Sequence, residues 1–427
     1  MTVRTTILTF LVMLIAATIS AETVLKAGDG IQWYKGNTHT HTLWSDGDGA
    51  PEIAVEWYKR NGYNFLTLSE HNVVAVGEKW AMVGDDLKLK QAQIDMLKEQ
   101  YGEEWVEMKE KSGKPWMRLK TFAELTEHFC EPGSFILVMG EEVTCLQHPV
   151  HMNAINITDV IRPAMKGDKT KMLADNLAAV RKQEEATGKS ILAHLNHPNF
   201  DTGVTAQQMM DAGGLEFFEV YNGHGSVNNW GNAKKHMPTT DRLWDIMLAH
   251  RIGVRNEGVV YGVASDDAHN YFKRGAGSSI PGRGWCMVLT EELSSDALVA
   301  AMKDAHFYAT SGVELEEIVY GDDGYTVAVK AEPGATYTVQ FIGTREGFDE
   351  KTEPLKDEDG NVIADFNPRY SESIGEVLLE TTDSPATYTY KGDELYVRAK
   401  VISDVPQPDP FKAGDVKLAW TQPVALK

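Results

Sequence analysis

The sequence predicts an α/β barrel followed by a small antiparallel β-sandwich. Between about residues 31 and 310, apolar runs of strand length alternate with helical patterns. After residue 312 the pattern changes to period-two alternation rich in Thr, Val, Tyr and Gly. Repeated strand-helix alternation implies a parallel sheet, and this many repeats favours a barrel, whereas short alternating strands separated by turns are typical of a sandwich.

Residues 1–21 predict an export signal. Arg4 precedes the apolar run ILTFLVMLIAA, and small and polar residues follow before Glu22, which is the order of the three regions of a secretory signal. The apolar run is shorter than the roughly 20 residues that a membrane span needs. We therefore expect a periplasmic or secreted protein with no membrane attachment after signal cleavage, the alternative being an uncleaved N-terminal anchor.

Charge and cysteine content exclude several classes of protein. The formal net charge of -21 argues against a nucleic-acid partner, because phosphate backbones are bound by excess Lys and Arg. Cys130, Cys145 and Cys286 form no CxxC pair, so neither a disulfide framework nor a cysteine zinc site is indicated. A small anionic substrate stays compatible with the acidic chain, since bound divalent cations can dominate the local field.

Within the barrel region, helix signals and strand signals follow each other in order. PEIAVEWYKRNGY has Pro51 suited to a first helical turn and Gly62 suited to a C-cap, and NFLTLSEH follows as a buried strand. TFAELTEHF opens with a capping box, Thr121 and Glu124, and leads into SFILVMGEE. The same alternation continues through SILAHLN, LEFFEVYNGH and GVVYGVASDDAH.

The motif HTHTLWSDGDG, residues 39 to 49, follows the first predicted strand of this region. In a strand, residues i and i+2 point to the same face, so His39 and His41 aim their rings at one point, as metal ligands do. Taken alone, a motif of this kind is more often two ordinary surface histidines. Asp267 and His269 repeat the same spacing further along the chain.

Other ligand-type residues gather at the ends of predicted strands. His71 ends NFLTLSEH, Glu142 ends FILVMGEE, and His197 follows SILAHLN. In barrels of this class the C-terminal ends of the strands build the active site. The set of candidate ligands contains three carboxylates and six imidazoles: His39, His41, Asp46, His71, Glu142, His151, His197, Asp267 and His269.

Six stretches resemble the PHP (polymerase and histidinol phosphatase) family: HTHTLWSDG, LTLSEHN, MGEEVT, VHMNAI, NHPN and ASDDAH. They occur in the family's order over roughly residues 34 to 312, and EVYNG and AHFYATSG are similar to the branch that includes carbamate-ester hydrolases. The resemblance implies a distorted seven-stranded β/α (TIM-like) barrel, here residues 22–312. It also implies up to three divalent metal ions.

The resemblance also implies which residues hold each ion. His39, His41, Glu142 and Asp267 are expected to hold the first ion. Glu142 is expected to bridge to the second, shared with His151 and His197. Asp46, His71 and His269 are expected to hold the third. Glu141 is a rival to Glu142 and His194 a rival to His197; we prefer Glu142 because the family pattern reads G-x-E, and His197 because it directly precedes Pro198.

Two further regions lie outside the expected metal site. Residues 78–118 are highly charged with helical spacing, and we expect a solvated helical insertion or, alternatively, a lid over the site. Residues 313–427 contain no histidine and no obvious catalytic cluster. We expect this C-terminal domain to be either a packing module or a dimerisation module, and in the second case the protein would be a homo-oligomer; ligand binding is the alternative.

The expected chemistry is hydrolysis. Three divalent ions bring a charge of about +6 against about -3 from Asp46, Glu142 and Asp267, and such a site acidifies bound water and stabilises a phosphoryl group. We expect a metal-bound hydroxide, held by Glu142, Asp267, His39 and His41, to attack a phosphate ester. A carbamate or carboxyl ester is the alternative substrate, and a non-catalytic periplasmic metal-binding protein is the alternative function.

The sequence leaves the metal and the substrate open. Nitrogen and oxygen ligands without thiolate suit zinc, manganese or iron. The expected partner is a small-molecule ester. Candidate residues for binding its anion are Lys273, Arg274 and Arg283, for each of which ordinary surface charge is the alternative explanation.

Overall fold

The computed structural model describes residues 22–275, 277–363, 365–410 and 412–427, so the expected signal segment lies outside the described residues. The strands of the first part of the chain are β1 (Thr23–Lys26), β2 (Gln32–Asn37), β3 (Phe65–His71), β4 (Trp80–Met82), β5 (Met108–Lys111), β6 (Lys114–Arg118), β7 (Ile136–Thr144), β8 (His151–Ile155), β9 (Leu192–Leu195), β10 (Phe217–Asn222) and β11 (Tyr261–Ser265). The later strands are β12 (Trp285–Thr290), β13 (Phe307–Thr310), β14 (Leu315–Tyr320), β15 (Gly324–Val329), β16 (Tyr337–Arg345), β17 (Glu376–Thr381), β18 (Ala386–Thr389), β19 (Glu394–Pro406), β20 (Val416–Thr421) and β21 (Val424–Ala425).

The α-helices are α1 (Pro51–Arg60), α2 (Gln91–Tyr101), α3 (Phe122–Phe129), α4 (Lys169–Thr187), α5 (Ala206–Ala212), α6 (Thr240–Gly253) and α7 (Ser295–Lys303). Two short 3-10 helices cover Glu103–Trp105 and Ala233–Lys235. None of the helices in the described part of the chain is long and apolar enough to cross a membrane.

The local signals in the sequence placed several of these helices correctly. Pro51 occupies the first turn of α1, where its missing N–H costs no hydrogen bond. Thr121 and Glu124 form the expected capping box of α3: the Thr121 hydroxyl accepts from the Glu124 backbone N–H, and the Glu124 carboxylate accepts from the Thr121 backbone N–H at 2.8 Å.

One large sheet carries most of the strands, in the order β11-β10-β9-β8-β7-β3-β2-β12-β13-β20-β19-β16-β17. Strand pairs β2-β3, β3-β7, β9-β10 and β10-β11 are parallel. Strand β8 is antiparallel to both β7 and β9. The carboxyl ends of β2, β3, β7, β9, β10 and β11 therefore lie along one edge, together with the first residue of β8.

The structure is mixed α/β, as expected. A distorted seven-stranded β/α barrel is not shown, because the series of seven strands β2, β3, β7, β8, β9, β10 and β11 is part of a larger sheet. The sheet does not end at β2, because β12 pairs with the free edge of that strand. The link from β7 to β8 is too short for a crossover helix, which forces β8 to run antiparallel. The two ends of the seven-strand series are joined by a single parallel bridge between Thr40 and Ala268.

Helices pack on this sheet through the main hydrophobic core. Met172 and Leu177 of α4, Leu243 and Ile246 of α6, and Phe218 of β10 all belong to one buried cluster. The same cluster includes Leu395 and Trp420 of the C-terminal strands, so strands β7 to β11 share a core with the C-terminal strands, whereas Tyr34 of β2 and Phe65 of β3 belong to a second buried cluster.

The C-terminal strands form antiparallel layers, as period-two alternation predicts. Strands β14, β15 and β18 form a small sheet, which β1 completes by pairing with β14. Ile318 and Val327 of this sheet share a buried cluster with Phe341 and Val401 of the large sheet. Strand β13 pairs with both β12 and β20, so the large sheet runs through the expected domain boundary at residue 313.

The insertion at residues 78–118 is only partly helical, which corrects the expectation. It contains α2 and a three-stranded antiparallel sheet in the order β4-β6-β5. Ser112 and Gly113 have φ of 55° and 69° and form a two-residue hairpin turn between β5 and β6. The Ser-Gly pair was the overlooked signal, because a turn of this kind ends helical periodicity.

Candidate metal centre

The structure brings all nine predicted ligand residues together at the polar edge of the large sheet. They form four overlapping groups in which the ligand atoms lie within 4.8 Å of one another: His41-Asp46-His71-His269, His39-His41-Glu142, His39-His197-Asp267 and His71-Glu142-His151. Parallel strands explain this convergence, since their carboxyl ends share one edge. His151 joins from the first residue of antiparallel β8, opposite Thr144 of β7.

The rings of His39 and His41 point at one place, as their i, i+2 spacing predicted. His39 Nε2 lies 3.1 Å from His41 Nε2. Asp267 Oδ1 is 3.3 Å from the first of these atoms and 3.2 Å from the second. Three ligand-type atoms that all face a common point are the arrangement that a bound cation organises.

Glu142 occupies the middle of the cluster. Its Oε2 lies 3.4 Å from His41 Nε2 and 2.7 Å from His71 Nδ1. Its Oε1 lies 3.1 Å from His151 Nδ1 and 3.3 Å from His197 Nε2. One carboxylate thus faces ring nitrogens on both sides, which is the placement that a bridging ligand needs.

Asp46 forms the outer part of the cluster. Its Oδ1 lies 3.2 Å from His269 Nε2 and 3.5 Å from His71 Nε2. The Asp46 side chain is 47% exposed, whereas those of His39 and Glu142 are fully buried. The cluster therefore opens to solvent on the Asp46 side.

The four groups of neighbouring ligand atoms do not coincide with the three expected metal sites. His197 was expected to share an ion with Glu142 and His151, but its close group contains His39 and Asp267. His71 was expected to accompany Asp46 and also lies in the group with Glu142 and His151. The shared members make this one continuous donor cluster.

The two rival residues lie outside these groups. Neighbouring residues of a strand point to opposite faces, so Glu141 turns away from Glu142 and accepts a hydrogen bond from the Ile161 backbone N–H. Burial raises the pKa of Glu141 to about 8. His194 is buried beside His39, with 6.4 Å between ring centroids, and burial lowers its pKa to about 4. The structure thus places Glu142 and His197 in the cluster.

The three expected anion-binding residues do not form a cationic pocket. Arg283 is buried and donates from Nε to the backbone oxygen of Asp409 and from Nη1 to those of Gly223 and Ser278. Its guanidinium joins three loops, so the expectation that it binds an anion is not supported. Lys273 and Arg274 are exposed, and Arg274 Nη1 lies 3.4 Å from Asp409 Oδ2.

Sequence reasoning missed Glu219, which supports the cluster from below. Glu219 lies in β10, is fully buried, and its Oε1 is 2.8 Å from His39 Nδ1. Its Oε2 accepts from the His197 backbone N–H at 2.7 Å. Burial opposes the charge on Glu219, but His39, His194 and His197 together outweigh burial and lower the pKa of this carboxyl to about 2. A glutamate inside the apolar run LEFFEV was the available signal.

Glu70 was also missed, and it fixes the loop that carries His41 and Asp46. Its carboxylate accepts from the Thr42 backbone N–H at 3.0 Å and from the hydroxyls of Thr42 and Ser45. The insertion braces the same loop: Gln93 Nε2 donates to the Asp48 backbone oxygen at 3.1 Å. The loop is therefore held on two sides.

Two of the candidate ligands have strained backbones. His197 and Asp267 have φ of 28° and 49°, a region that non-glycine residues enter at a cost of order 1–3 kcal/mol each. Asn222 Nδ2 donates to Asp267 Oδ2 at 3.2 Å and to Glu219 Oε2 at 2.7 Å. Such strain is typical of functional sites, where neighbours hold a side chain in a required direction.

The donor set fits divalent metal ions. Glu142 Oε2 and His197 Nδ1 are buried and have no partner in hydrogen-bond geometry among the described residues. Burial, followed by the nearby rings of His269 and His71, lowers the pKa of His41 to about 3, which keeps its ring in the neutral form that binds metals. Imidazole and carboxylate donors without thiolate suit zinc, manganese or iron.

No family model and no curated protein matches the chain. The chain is similar to the crystal structure of a two-domain protein from Bacteroides vulgatus that contains a predicted PHP-like metal-dependent phosphoesterase. The identity is 16%, the match covers 93% of this chain and 96% of that chain, and the TM-score is 0.41. A candidate metal-dependent phosphoesterase from Bifidobacterium adolescentis is similar at 16% identity over 62% of this chain and 94% of that one, with a TM-score of 0.28. At these values, the function of the chain has to be argued from its own residues.

Replacing His39 tests whether its ring binds metal or only packs in the core. We expect His39→Ala to lower bound metal and to reduce ester hydrolysis by orders of magnitude with the fold retained, because the ring contributes a ligand atom at the cluster's centre. His128→Ala is the control, since His128 is an exposed residue of α3. Metal per chain and hydrolysis rate are measured for both variants, and similar behaviour of the two would contradict the assignment.

Glu219 should influence metal binding through His39. We expect Glu219→Gln to weaken metal affinity by about 10-fold to 100-fold, because the carboxylate orients the His39 ring and increases its basicity. Competition with a coloured chelator measures the affinity. Glu216→Gln, on the exposed side of the same segment, is the matched control. Equal affinities in the two variants would show that Glu219 has no such role.

Proposed function

We propose that this protein is an exported metal-dependent hydrolase that cleaves phosphate esters. The observation that carries the proposal is the cluster of six histidines and three carboxylates, whose ligand groups overlap at Glu142, His39, His41 and His71. Its donor atoms lie 2.7 to 3.8 Å apart in pairs such as His71-Glu142 and His197-Asp267. Divalent ions bound there would acidify a water molecule and stabilise the charge of a reacting phosphoryl group.

The residues of the chain have separable tasks in this proposal. Glu142, Asp267 and the paired rings of His39 and His41 would hold metal at the buried centre. Glu219 keeps the His39 ring oriented through the contact at Nδ1. Asp46, on the exposed side, would hold an outer ion where a substrate can arrive.

The open side favours a hydrolase over a non-catalytic metal-binding protein. Structural metal sites are closed by protein ligands, whereas catalytic sites keep a position for water or substrate. Here the exposed fraction of the ligand side chains rises from none at Glu142 to 26% at His71 and 47% at Asp46. A substrate would therefore reach the cluster at its outer, exposed end.

In this proposal the phosphoryl group of the substrate binds to the metal ions and not to Lys273, Arg274 or Arg283. Of the three expected cationic residues, Arg283 is committed to backbone oxygens and the other two are surface residues. A phosphoryl group would therefore bind through the ions, which is a common use of clustered divalent metals.

Removing and restoring metal tests the proposed activity. The full chain, stripped with a chelator, should lose hydrolysis of p-nitrophenyl phosphate, and addition of zinc, manganese or iron should restore it. A p-nitrophenyl carboxyl ester and a p-nitrophenyl carbamate are assayed in parallel. Faster turnover of either would make the carbonyl esters the substrate class, and bound metal without any turnover would overturn the hydrolase proposal.

Export is tested on the mature chain. We expect the protein recovered from an expressing bacterium to lie in the periplasm or medium and to begin near Glu22, because residues 1–21 have the order of a secretory signal. Cell fractionation gives the location of the protein, and intact mass spectrometry gives its first residue. A cytoplasmic chain that retains residues 1–21 would contradict the proposal.

A further inference from the structure

His224 lies beside the metal cluster but belongs to none of its ligand groups. Its ring centroid is 5.2 Å from that of His269, at an interplanar angle of 71°. On another side it meets Phe200, with 6.3 Å between ring centroids, and Phe200 in turn contacts His197 at 5.0 Å. His224 is half-buried, so part of its side chain is accessible to solvent beside His269.

The contacts of the ring determine which nitrogen carries the proton. The backbone N–H of Ser226 donates to His224 Nδ1 at 3.1 Å. A nitrogen that accepts a hydrogen bond carries no proton, so the neutral ring has its proton on Nε2. Among the described residues, the Ser226 contact is the single hydrogen bond of this ring, and Nε2–H is left for an acceptor from outside the chain.

A hydrogen bond and two close backbone contacts hold the loop that carries His224 in place. The His224 N–H donates to Asn222 Oδ1 at 2.8 Å, and Asn222 also holds Asp267. A Cβ added at Gly223 would lie 2.9 Å from the Asp266 backbone oxygen, and one added at Gly225 would lie 2.8 Å from that of Gly277. The two glycines thus allow the loop to pack directly on the strand-end loops that carry Asp267.

The position of His224 relative to the cluster indicates what it contacts. Among the ligands, His269 and Asp46 lie toward solvent, with exposed fractions of 16% and 47%, and His224 borders His269. A phosphate ester whose phosphoryl group occupies the metal cluster has its remaining part on this open side. In that arrangement the ring of His224, beside His269, would lie near the ester oxygen.

We propose that His224 is a hydrogen-bond donor to the leaving-group oxygen of the ester. The inference rests on the proposed phosphoesterase function. In the reaction, a water-derived oxygen forms a bond to phosphorus and the bond from phosphorus to the ester oxygen breaks. Its electron pair passes to the departing oxygen, which accepts a hydrogen bond from His224 Nε2–H and then takes a proton from solvent. A donor fixed in advance stabilises charge that develops only in the transition state.

Two esters with different leaving groups test the role of His224. Phenol has a pKa of about 10, so departing phenolate needs more stabilisation than the more acidic p-nitrophenol. For the metal-loaded full chain, we expect His224→Ala to lower kcat/KM for phenyl phosphate by about 100-fold and for p-nitrophenyl phosphate by less than about tenfold. His224→Gln should recover about tenfold on phenyl phosphate, because its side-chain amide again offers a donor.

Metal content separates this role from a purely structural one. The Ala and Gln variants should bind as much metal as wild type, and His128→Ala, the control, should match wild type on both esters. Equal losses on the two esters, unchanged rates, or loss of metal from His224→Ala would overturn the proposed role while leaving the phosphoesterase proposal in place. A wild-type chain that binds metal and hydrolyses neither ester would overturn both proposals.

Discussion

The buried carboxylate of Glu142 is the constraint on which the rest of the site depends. A charged carboxyl group without solvent is costly unless opposite charge or metal surrounds it. Burial opposes ionisation of Glu142, but His71, His39 and His151 outweigh it and hold the pKa of this carboxyl well below its usual range. The strands that deliver these rings must therefore end at one edge of the sheet.

A second layer of acidic and amide side chains makes that convergence rigid. Glu219 holds His39, Glu70 holds the Thr42 segment, and Asn196 Nδ2 donates to Glu142 Oε1 at 2.9 Å. Metal ligands that are fixed through their other polar atoms lose little freedom on binding an ion. The strained backbone conformations of His197 and Asp267 persist because hydrogen bonds from neighbouring side chains hold both residues in place.

The regions outside the cluster act on it through packing. The insertion contributes Ile94 and Met117 to a hydrophobic cluster with Leu43 and Trp44, which lie between His41 and Asp46 in the chain. The C-terminal strands contact the other side of the molecule, where Arg398 of β19 forms a buried ion pair with Asp245 of α6 at 2.7 Å. The insertion and the C-terminal strands therefore both pack against elements that carry or support the cluster.

The sequence by itself determined which nine residues to expect in the cluster, and where several of the helices begin. His39 and His41 are separated by the strand period, and Pro51, Thr121 and Glu124 are direct signals of helix starts, because such preferences act between residues close in the chain. The tertiary structure decided what depends on distant partners. The reversal of β8, the continuation of the sheet into β12, and the contacts of Glu219 and His224 join segments far apart in sequence. Sequence periodicity does not predict such contacts, since they form only when distant strands pair in the folded protein.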